Sequence, residues 1–279
     1  LDGNGHELRI TVDLAGRPVH ARIWHVQVGR NPLFLLDTDV DGNEPWDREL
    51  SARLYSGDSE TRIRQEIMLG IGGVRALRAL GINPSVWHMN EGHSAFLILE
   101  CIRELVAQGQ TFEEAAKIVK QRSVFTTHTP VPAGHDAFGF HMVEQYFNGF
   151  WDELGINREH FLSLGGHEEP WGMAFNMTVL ALKLSGQSNG VSKLHGKVSR
   201  EMWQEVWPEH NVDNVPISSI TNGVHIPTWI AGEIHNIFDK YLGPSWLDDH
   251  DSSTIWQRLG EAPDNEIWEV HLALKRKLI

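Results

Sequence analysis

SVWHMNEGHSAFLILECIRELVAQGQTFEEAAKIVKQRSVFTTHT (85–129) is the stretch from which the fold can be read. It opens on a strand-like run, SVWHMN (85–90), and passes into a helix near 94–108. A second helix begins at Thr111-Phe112-Glu113-Glu114, where a threonine followed three places later by glutamate forms a capping box. SVFTTHT (123–129) is β-rich again and stops at Pro130. Strands alternating with helices in this way predict a mostly parallel sheet with helices on both faces.

The rhythm continues downstream. Met173, Met177, Leu180 and Leu184 mark one helix face, and Val191, Leu194 and Val198 another. ISSIT (217–221) reads as a short strand before Asn222-Gly223, and a break near Gly243-Pro244 precedes a final helical segment. Upstream, LRITVDL (8–14) alternates, Ala15-Gly16-Arg17-Pro18 turns, and Val19 to Val28 alternates again, a β-hairpin pattern. LFLLDT (33–38) reads as a buried strand and 37–49 as a loop. Ile63, Ile67, Ile71, Val74 and Leu77 then lie on one face of a helix ending near Gly81.

Composition bounds the class. The chain has 279 residues, 41% hydrophobic and 22% charged, with a net charge of −13 and one cysteine. That excludes wholesale disorder, a disulfide framework and a multi-cysteine zinc site. No apolar run approaches the roughly 18 residues that span a bilayer. The acidic balance argues against a general nucleic-acid binder. The expectation is a soluble cytoplasmic protein without membrane or nucleic-acid partners. Position 1 is Leu, and the last residues lie on an amphipathic pattern of Ile267, Val270, His271, Leu274 and Leu278. The chain therefore reads as an internal piece of a longer one.

In parallel sheets, ligands sit outside the carboxyl ends of the strands. That rule selects Asn90-Glu91-Gly92-His93, His128-Thr129-Pro130 and Asn222-Gly223-Val224-His225. WHMNEGHSAF (87–96) has three open readings: a metal site, groups satisfying backbone at a strand end, or a polar pocket suited to polyols such as sugars. FTTHTPVPAGHD (125–136) holds His128 on a stiff, proline-bearing turn, as a ligand-facing group or as a structural cap. The Arg-rich helix 62–78 reads as a solvated face, the eleven Trp as packing residues, and Cys101 as buried and inert. Gly70-Ile71-Gly72-Gly73 lies inside a helical pattern and lacks the strand that a dinucleotide loop requires.

Together LYSGDSETRIRQEIMLGIGG (54–73), WHMNEGHSAF (87–96), FTTHTPVPAGHD (125–136), NGVSKLHG (189–196) and TNGVHIPTW (221–229) resemble the α-glucan phosphorylases, most closely the shorter bacterial and archaeal branch. The order of the segments matches the amino-terminal half of that family over most of residues 20–240. The resemblance implies an α/β, Rossmann-like amino-terminal domain of the two-domain GT-B fold. Residues 1–243 would belong to it, and 244–279 would lead toward the carboxyl domain. It implies reversible phosphorolysis of terminal α-1,4-glucosidic bonds to α-glucose 1-phosphate with retention. Pyridoxal phosphate is the implied cofactor, acting through its 5′-phosphate beside the orthophosphate that protonates the glycosidic oxygen.

Carried over residue by residue, His128 resembles the catalytic histidine facing the reacting glucosyl unit, with Thr129 beside it. Glu91 stands where longer members carry an aspartate lining the same pocket, His93 matches the histidine two places on, and Asp58 resembles an acidic residue of a gating loop. The sequence is shorter after Asp58 than the animal and plant enzymes. It has Val131-Pro132-Ala133-Gly134-His135-Asp136 where they show Leu-Pro-Glu-Ala-Leu-Glu. The family's glycine-rich loop would lie before residue 1, and its Schiff-base lysine and phosphate-holding residues after 279, so this piece alone is expected to bind no cofactor covalently and to be inactive. The implied partners are α-1,4-glucan and orthophosphate, with a homo-oligomer of the full-length enzyme open. The rivals are a sugar-nucleotide-dependent GT-B glycosyltransferase such as a glycogen synthase, a metallohydrolase built on His88, Glu91, His93 and His128, and a non-catalytic glucan-binding module.

Overall fold

The computed structural model describes residues 7–53, 58–131 and 134–279. The chain divides into two compact units, Leu1–Thr221 and Asn222–Ile279.

The first unit opens on an antiparallel meander of β1 (Arg9–Asp13), β2 (Pro18–Val28) and β3 (Asn31–Asp37). Ala15 and Gly16, both at positive φ, make the tight turn between β1 and β2 and pair Val12 with Val19. Ile10 and Val12 are buried while their neighbours face out, as the alternation predicts. LFLLDT differs from expectation: β3 is an antiparallel edge strand, and Leu33 and Leu35 are exposed at 47% and 45%. An apolar run does not by itself report burial on both faces.

The acidic stretch that follows contains a short helix, α1 (Pro45–Arg48), whose Asp47 is buried between Arg17 and Arg64. The long helical pattern then resolves into three pieces. α2 (Ser59–Ile67) is capped by Asp58, a π-helical turn occupies Met68–Gly72, and α3 (Gly73–Ala79) stops two residues before Gly81, φ +73°. Gly70 and Gly72 owe their places to close packing, whereas Gly73 has open space around it. A Cβ on Gly70 would lie 2.8 Å from the Leu97 backbone nitrogen and 2.9 Å from Phe96 Cβ. Gly70→Ala is therefore expected to cost about 2 kcal/mol, read as a lowered urea midpoint; an unchanged midpoint would show that the helices can part freely.

The parallel sheet consists of β4 (Trp87–Asn90), β5 (Ser123–Thr127), β9 (Gln187–Gly190) and β10 (Ser218–Ser219) in the spatial order β10-β9-β5-β4, with α4 (Phe96–Val106) and α5 (Phe112–Gln121) connecting β4 to β5. The Thr111–Glu114 capping box is present in full. Between β5 and β9 the chain makes β6 (Ala137–Gly139), α6 (Phe140–Phe147), α7 (Phe150–Glu153), α8 (Arg158–Gly165), β7 (Gly166–Glu169), β8 (Gly172–Asn176) and α9 (Met177–Leu184). β6, β8 and β7 form a separate antiparallel sheet that the pattern reading missed, because the β7 residues His167, Glu168 and Glu169 are polar. Met173 consequently lies on β8 and is exposed, not on a helix face. From Met177 to Leu182 every residue of α9 is buried, as a stretch apolar but for Thr178 leads one to expect. It joins a core in which Phe96, Phe147, Phe161 and Phe175 are fully enclosed.

β9 (Gln187–Gly190) leads into α10 (Lys193–Met202), and β10 is only Ser218–Ser219. The expected apolar face of α10 is not the packed one. Leu194 is exposed, and His195, Gly196 and Ser199 are buried. The backbones of Gly190 and Gly196 approach so closely that a Cβ on Gly190 would lie 2.9 Å from Gly196 N. Small residues thus set this contact.

In the second unit, α11 (Ile226–Trp229), α12 (Gly232–Leu242) and α13 (Ser253–Gln257) gather around Trp246, which is fully buried against Phe238 and Trp256, and α14 (Asp264–Leu278) is tied to α12 by the Lys240–Glu266 and Lys277–Glu233 ion pairs. The tryptophans are mixed in role: Trp203 and Trp246 are core, whereas Trp171 and Trp229 are largely exposed. No helix among the described residues is long and apolar enough to cross a membrane.

Candidate active site

The carboxyl ends of β4, β5 and β9 are tied by a polar relay. His88 Nε2 donates to Thr126 Oγ1 at 2.8 Å, and Thr126 Oγ1 donates to Asn189 Oδ1 at 3.0 Å. Glu91 N donates to Thr126 O at 2.9 Å and sets the turn beyond β4.

Glu91 is the distinctive residue of this turn. Its backbone lies at φ +67°, ψ 174°, a region that is essentially glycine's and costs a side-chain-bearing residue of order 1–3 kcal/mol. Its carboxylate is buried and turned toward the β5 loop. Oε1 accepts from His128 N, from Thr129 N at 2.8 Å and from Thr129 Oγ1 at 3.1 Å. The strained turn thus aims one oxygen at three donors of the neighbouring loop. Glu91 Oε1 and Thr129 Oγ1 are engaged with each other, and the His128 imidazole, half-buried, makes no hydrogen bond to any described residue.

His93 follows in a short turn, Gly92–Ser94, wedged so close to α9 that a Cβ on Gly92 would lie 3.1 Å from Met177 Cβ. Its Nδ1 is 3.2 Å from Asp136 Oδ2 and 3.9 Å from Glu66 Oε1. Arg62 Nη2 sits among the same atoms, 2.6 Å from Asp136 Oδ2, 3.3 Å from Glu66 Oε1 and 3.4 Å from His93 Nδ1. Burial pushes the Glu66 carboxyl up to about 8, so it is protonated at neutral pH. The hydrogen bond to Asp136, and then Glu66, raise His93 to about 9. Burial alone would raise Asp136, but His93 and Arg62 outweigh it and hold its carboxyl well below the usual range. Beside this cluster, burial lowers His135, whose Nδ1 is 2.8 Å from Thr178 Oγ1, and favours its neutral form.

Among the described residues, Glu66, His93 and Asp136 are the one group whose metal-type ligand atoms converge, and the Arg62 guanidinium already lies among them. The alternative set of His88, Glu91, His93 and His128 does not converge: Glu91 serves the β5 loop and His93 the Asp136 cluster. Asp58 is exposed and caps α2 by accepting from Thr61 N at 2.9 Å; residues 54–57, the rest of its motif, lie outside the described residues, as do Pro132 and Ala133. The Asn222–His225 motif is exposed at the start of the second unit, where His225 Nδ1 lies 2.7 Å from Thr228 Oγ1.

Sequence reasoning missed Arg62, Glu66 and Asp136. The arginines of 62–78 are not a solvated face: Arg62 meets Asp136, Arg64 meets Asp47, Arg75 meets Glu100 and Arg78 meets Glu104. The available signal was the i, i+4 spacing of Arg62 and Glu66 on a face shared with Ile63 and Ile67. Cys101 is buried as expected, its thiol pushed up to about 12.

The carbohydrate phosphorylase family model matches residues 78–278, and the chain belongs to that family. It is 45% identical over 99% of its length to the maltodextrin phosphorylase of Thermococcus litoralis, covering 32% of that protein. Against the glycogen phosphorylases of Aquifex aeolicus and Mycobacterium tuberculosis (strain H37Rv), identity is 39% and 43% over the whole chain, which covers 40% and 34% of them. The chain thus spans between about a third and two fifths of the length of these relatives.

Proposed function

We propose that this chain supplies the amino-terminal side of the active site of an α-glucan phosphorylase of GT-B architecture. The enzyme cleaves terminal α-1,4-glucosidic bonds reversibly with orthophosphate and releases α-glucose 1-phosphate. Residues 1–243 contribute to the amino-terminal domain, and 244–279 lead toward the carboxyl domain. The observation that carries the reading is the Glu91 clamp on the His128–Thr129 loop, at the strand ends where a parallel sheet presents ligands, in a chain of this family.

In this reading His128 faces the reacting glucosyl unit, and its position is fixed before the sugar arrives. A pre-positioned dipole costs no reorganisation when positive charge develops at the anomeric carbon. Glu91 and Thr129 hold that loop, His93 faces the sugar from the adjacent turn, and Asp58 caps the helix at the gate.

The lysines of the first unit do not fit covalent attachment of pyridoxal phosphate. In the first unit Lys120 and Lys183 are tied to backbone carbonyls, and Lys117, Lys193 and Lys197 are exposed on helices. The Schiff-base lysine is assigned to the part of the enzyme outside this sequence. The test is made on the full-length protein, stripped of pyridoxal phosphate and then reconstituted. Glucose 1-phosphate should form from maltodextrin and orthophosphate only after reconstitution; equal product without the cofactor would overturn the assignment.

A further inference from the structure

The outward face of the opening meander changes character along its length. On the rungs that pair Thr11 with His20 and Arg22 with Asp37 it is polar, while Val12, Val19 and Ala21 enter the core on the other side. Farther along, the same outward face turns apolar: Trp24 stands opposite Leu35, Val26 opposite Leu33, and Val28 follows. These five side chains are 42–56% exposed. An antiparallel sheet with one solvated face is ordinarily polar on that face. Every residue from Trp24 to Leu35 is exposed except Phe34, so the apolar stripe lies on a two-stranded arm. A two-stranded hairpin is at best marginally stable in water, and an apolar face on one calls for a cover. The largest side chain of the stripe is already fixed. Trp24 Nε1 donates to Asp37 Oδ2 at 2.9 Å, and the Arg22 guanidinium lies 5.0 Å from the indole centre. A tryptophan ordered in advance loses little freedom on docking and makes a good anchor.

We propose that the β2–β3 arm is a twofold interface between two copies of this chain, the apolar faces stacked antiparallel about Val26. Symmetry, charge and area select a second copy. Val26 is the middle rung of the stripe. Arg30 lies four positions beyond it toward the tip, and the Arg22–Asp37 rung four positions before it toward the base. A twofold axis at Val26 therefore sets Arg30 of each copy over the base of the other, as a self-complementary interface requires. The charges suit that contact. Arg30 makes no ion pair among the described residues. At the base, the carboxylates of Glu7, Asp37, Asp39 and Asp41 outnumber the guanidiniums of Arg9, Arg22 and Arg48 that pair with them. A stable interface takes about 800 Å² from each partner, more than five half-exposed side chains supply. The contact must then run from tip to base, which antiparallel stacking provides. The interface stands apart from the catalytic reading and does not depend on it.

The experiment uses the full-length protein and sedimentation equilibrium. Wild type should contain an even number of chains. Val26→Asp combined with Leu33→Asp should halve that number and leave the far-UV circular dichroism unchanged, because both side chains lie outside the core. Arg30→Glu should weaken the association by about tenfold. Val26→Cys keeps the proposal testable if the aspartates prevent folding. A bismaleimide spanning about 10 Å, the spacing of stacked sheets, should join two chains through position 26, identified by mass spectrometry of the linked peptides. Gln27→Cys, on the opposite face of the arm, should not be joined in this way. A wild type with a single chain or an odd number of chains would overturn the proposal. So would an aspartate variant that folds and keeps the wild-type mass. Val26→Cys that links to no second chain would also overturn it and assign the face to a cover from the same polypeptide.

Discussion

Glu91→Ala in the full-length enzyme is expected to lower kcat for phosphorolysis by roughly 100-fold, with KM for the glucan changed only a few-fold. The carboxylate removed is the common acceptor for His128 N, Thr129 N and Thr129 Oγ1. Each buried donor left unpaired costs about 1–3 kcal/mol, so the loop relaxes to find other acceptors and His128 moves off its position. A displacement of about 1 Å at a catalytic group is enough for a loss of that size. Removing the carboxylate also releases the tension that keeps residue 91 at φ +67°. Glu91→Gln retains a carbonyl oxygen of the same reach and should keep activity within about tenfold of wild type. If Glu91 instead gripped the sugar directly, KM would rise steeply in both variants while kcat held. Steady-state kinetics with maltodextrin and orthophosphate separate the two outcomes.

Glu100→Ala is expected to cost about 3 kcal/mol of stability. The Glu100 side chain is 1% exposed and lies between two guanidiniums: Arg75 Nε and Arg103 Nη2 each reach Oε1 at 2.8 Å. Arg75 also donates to Thr11 O at 2.8 Å, so one ion pair fastens α3, α4 and β1 together. Both arginines are partly exposed and recover some hydration when the carboxylate is lost, which keeps the cost at the lower end of the range for broken buried pairs. Burial pushes the Glu100 carboxyl upward, but Arg103 and Arg75 outweigh it and set it below the ordinary range. A carboxyl held low in the folded state stabilises above its unfolded value, near 4.5, and that contribution fades as pH falls through the folded value. The gap between wild type and Glu100→Ala in urea midpoint should therefore be full at pH 7 and narrow below about pH 4. A gap independent of pH would mean that the loss is one of packing rather than charge.

Much of this architecture was legible in the residues. Strand-ending turns carry their own punctuation, which is why Glu91, His93 and His128 fall at the ends of β4 and β5 as the sequence indicates. Capping at Thr111 and the turn at Ala15-Gly16 depend on neighbours in sequence and were read correctly. What escaped depends on partners far away. Arg62 and Asp136 lie 74 positions apart and His93 and Asp136 43, so no local pattern announces their meeting. Polar strands such as β7 are set by pairing with β8 rather than by their own alternation. Local spacing also misassigned Leu194, because glycine contacts, not apolar ones, decide which face of α10 is packed. Glu91 shows the same limit: its motif is local, but the three donors that meet its Oε1 lie on another strand's loop.

The most direct measurement follows the phosphate itself. Full-length protein bearing this chain, with pyridoxal phosphate bound, is mixed with maltoheptaose and orthophosphate and followed by ³¹P NMR. The account predicts the phosphate resonance converting to α-glucose 1-phosphate, with maltohexaose as the other product and the reaction running backward when glucose 1-phosphate is supplied. An unchanged phosphate resonance, together with glucan extension from a sugar nucleotide, would contradict it.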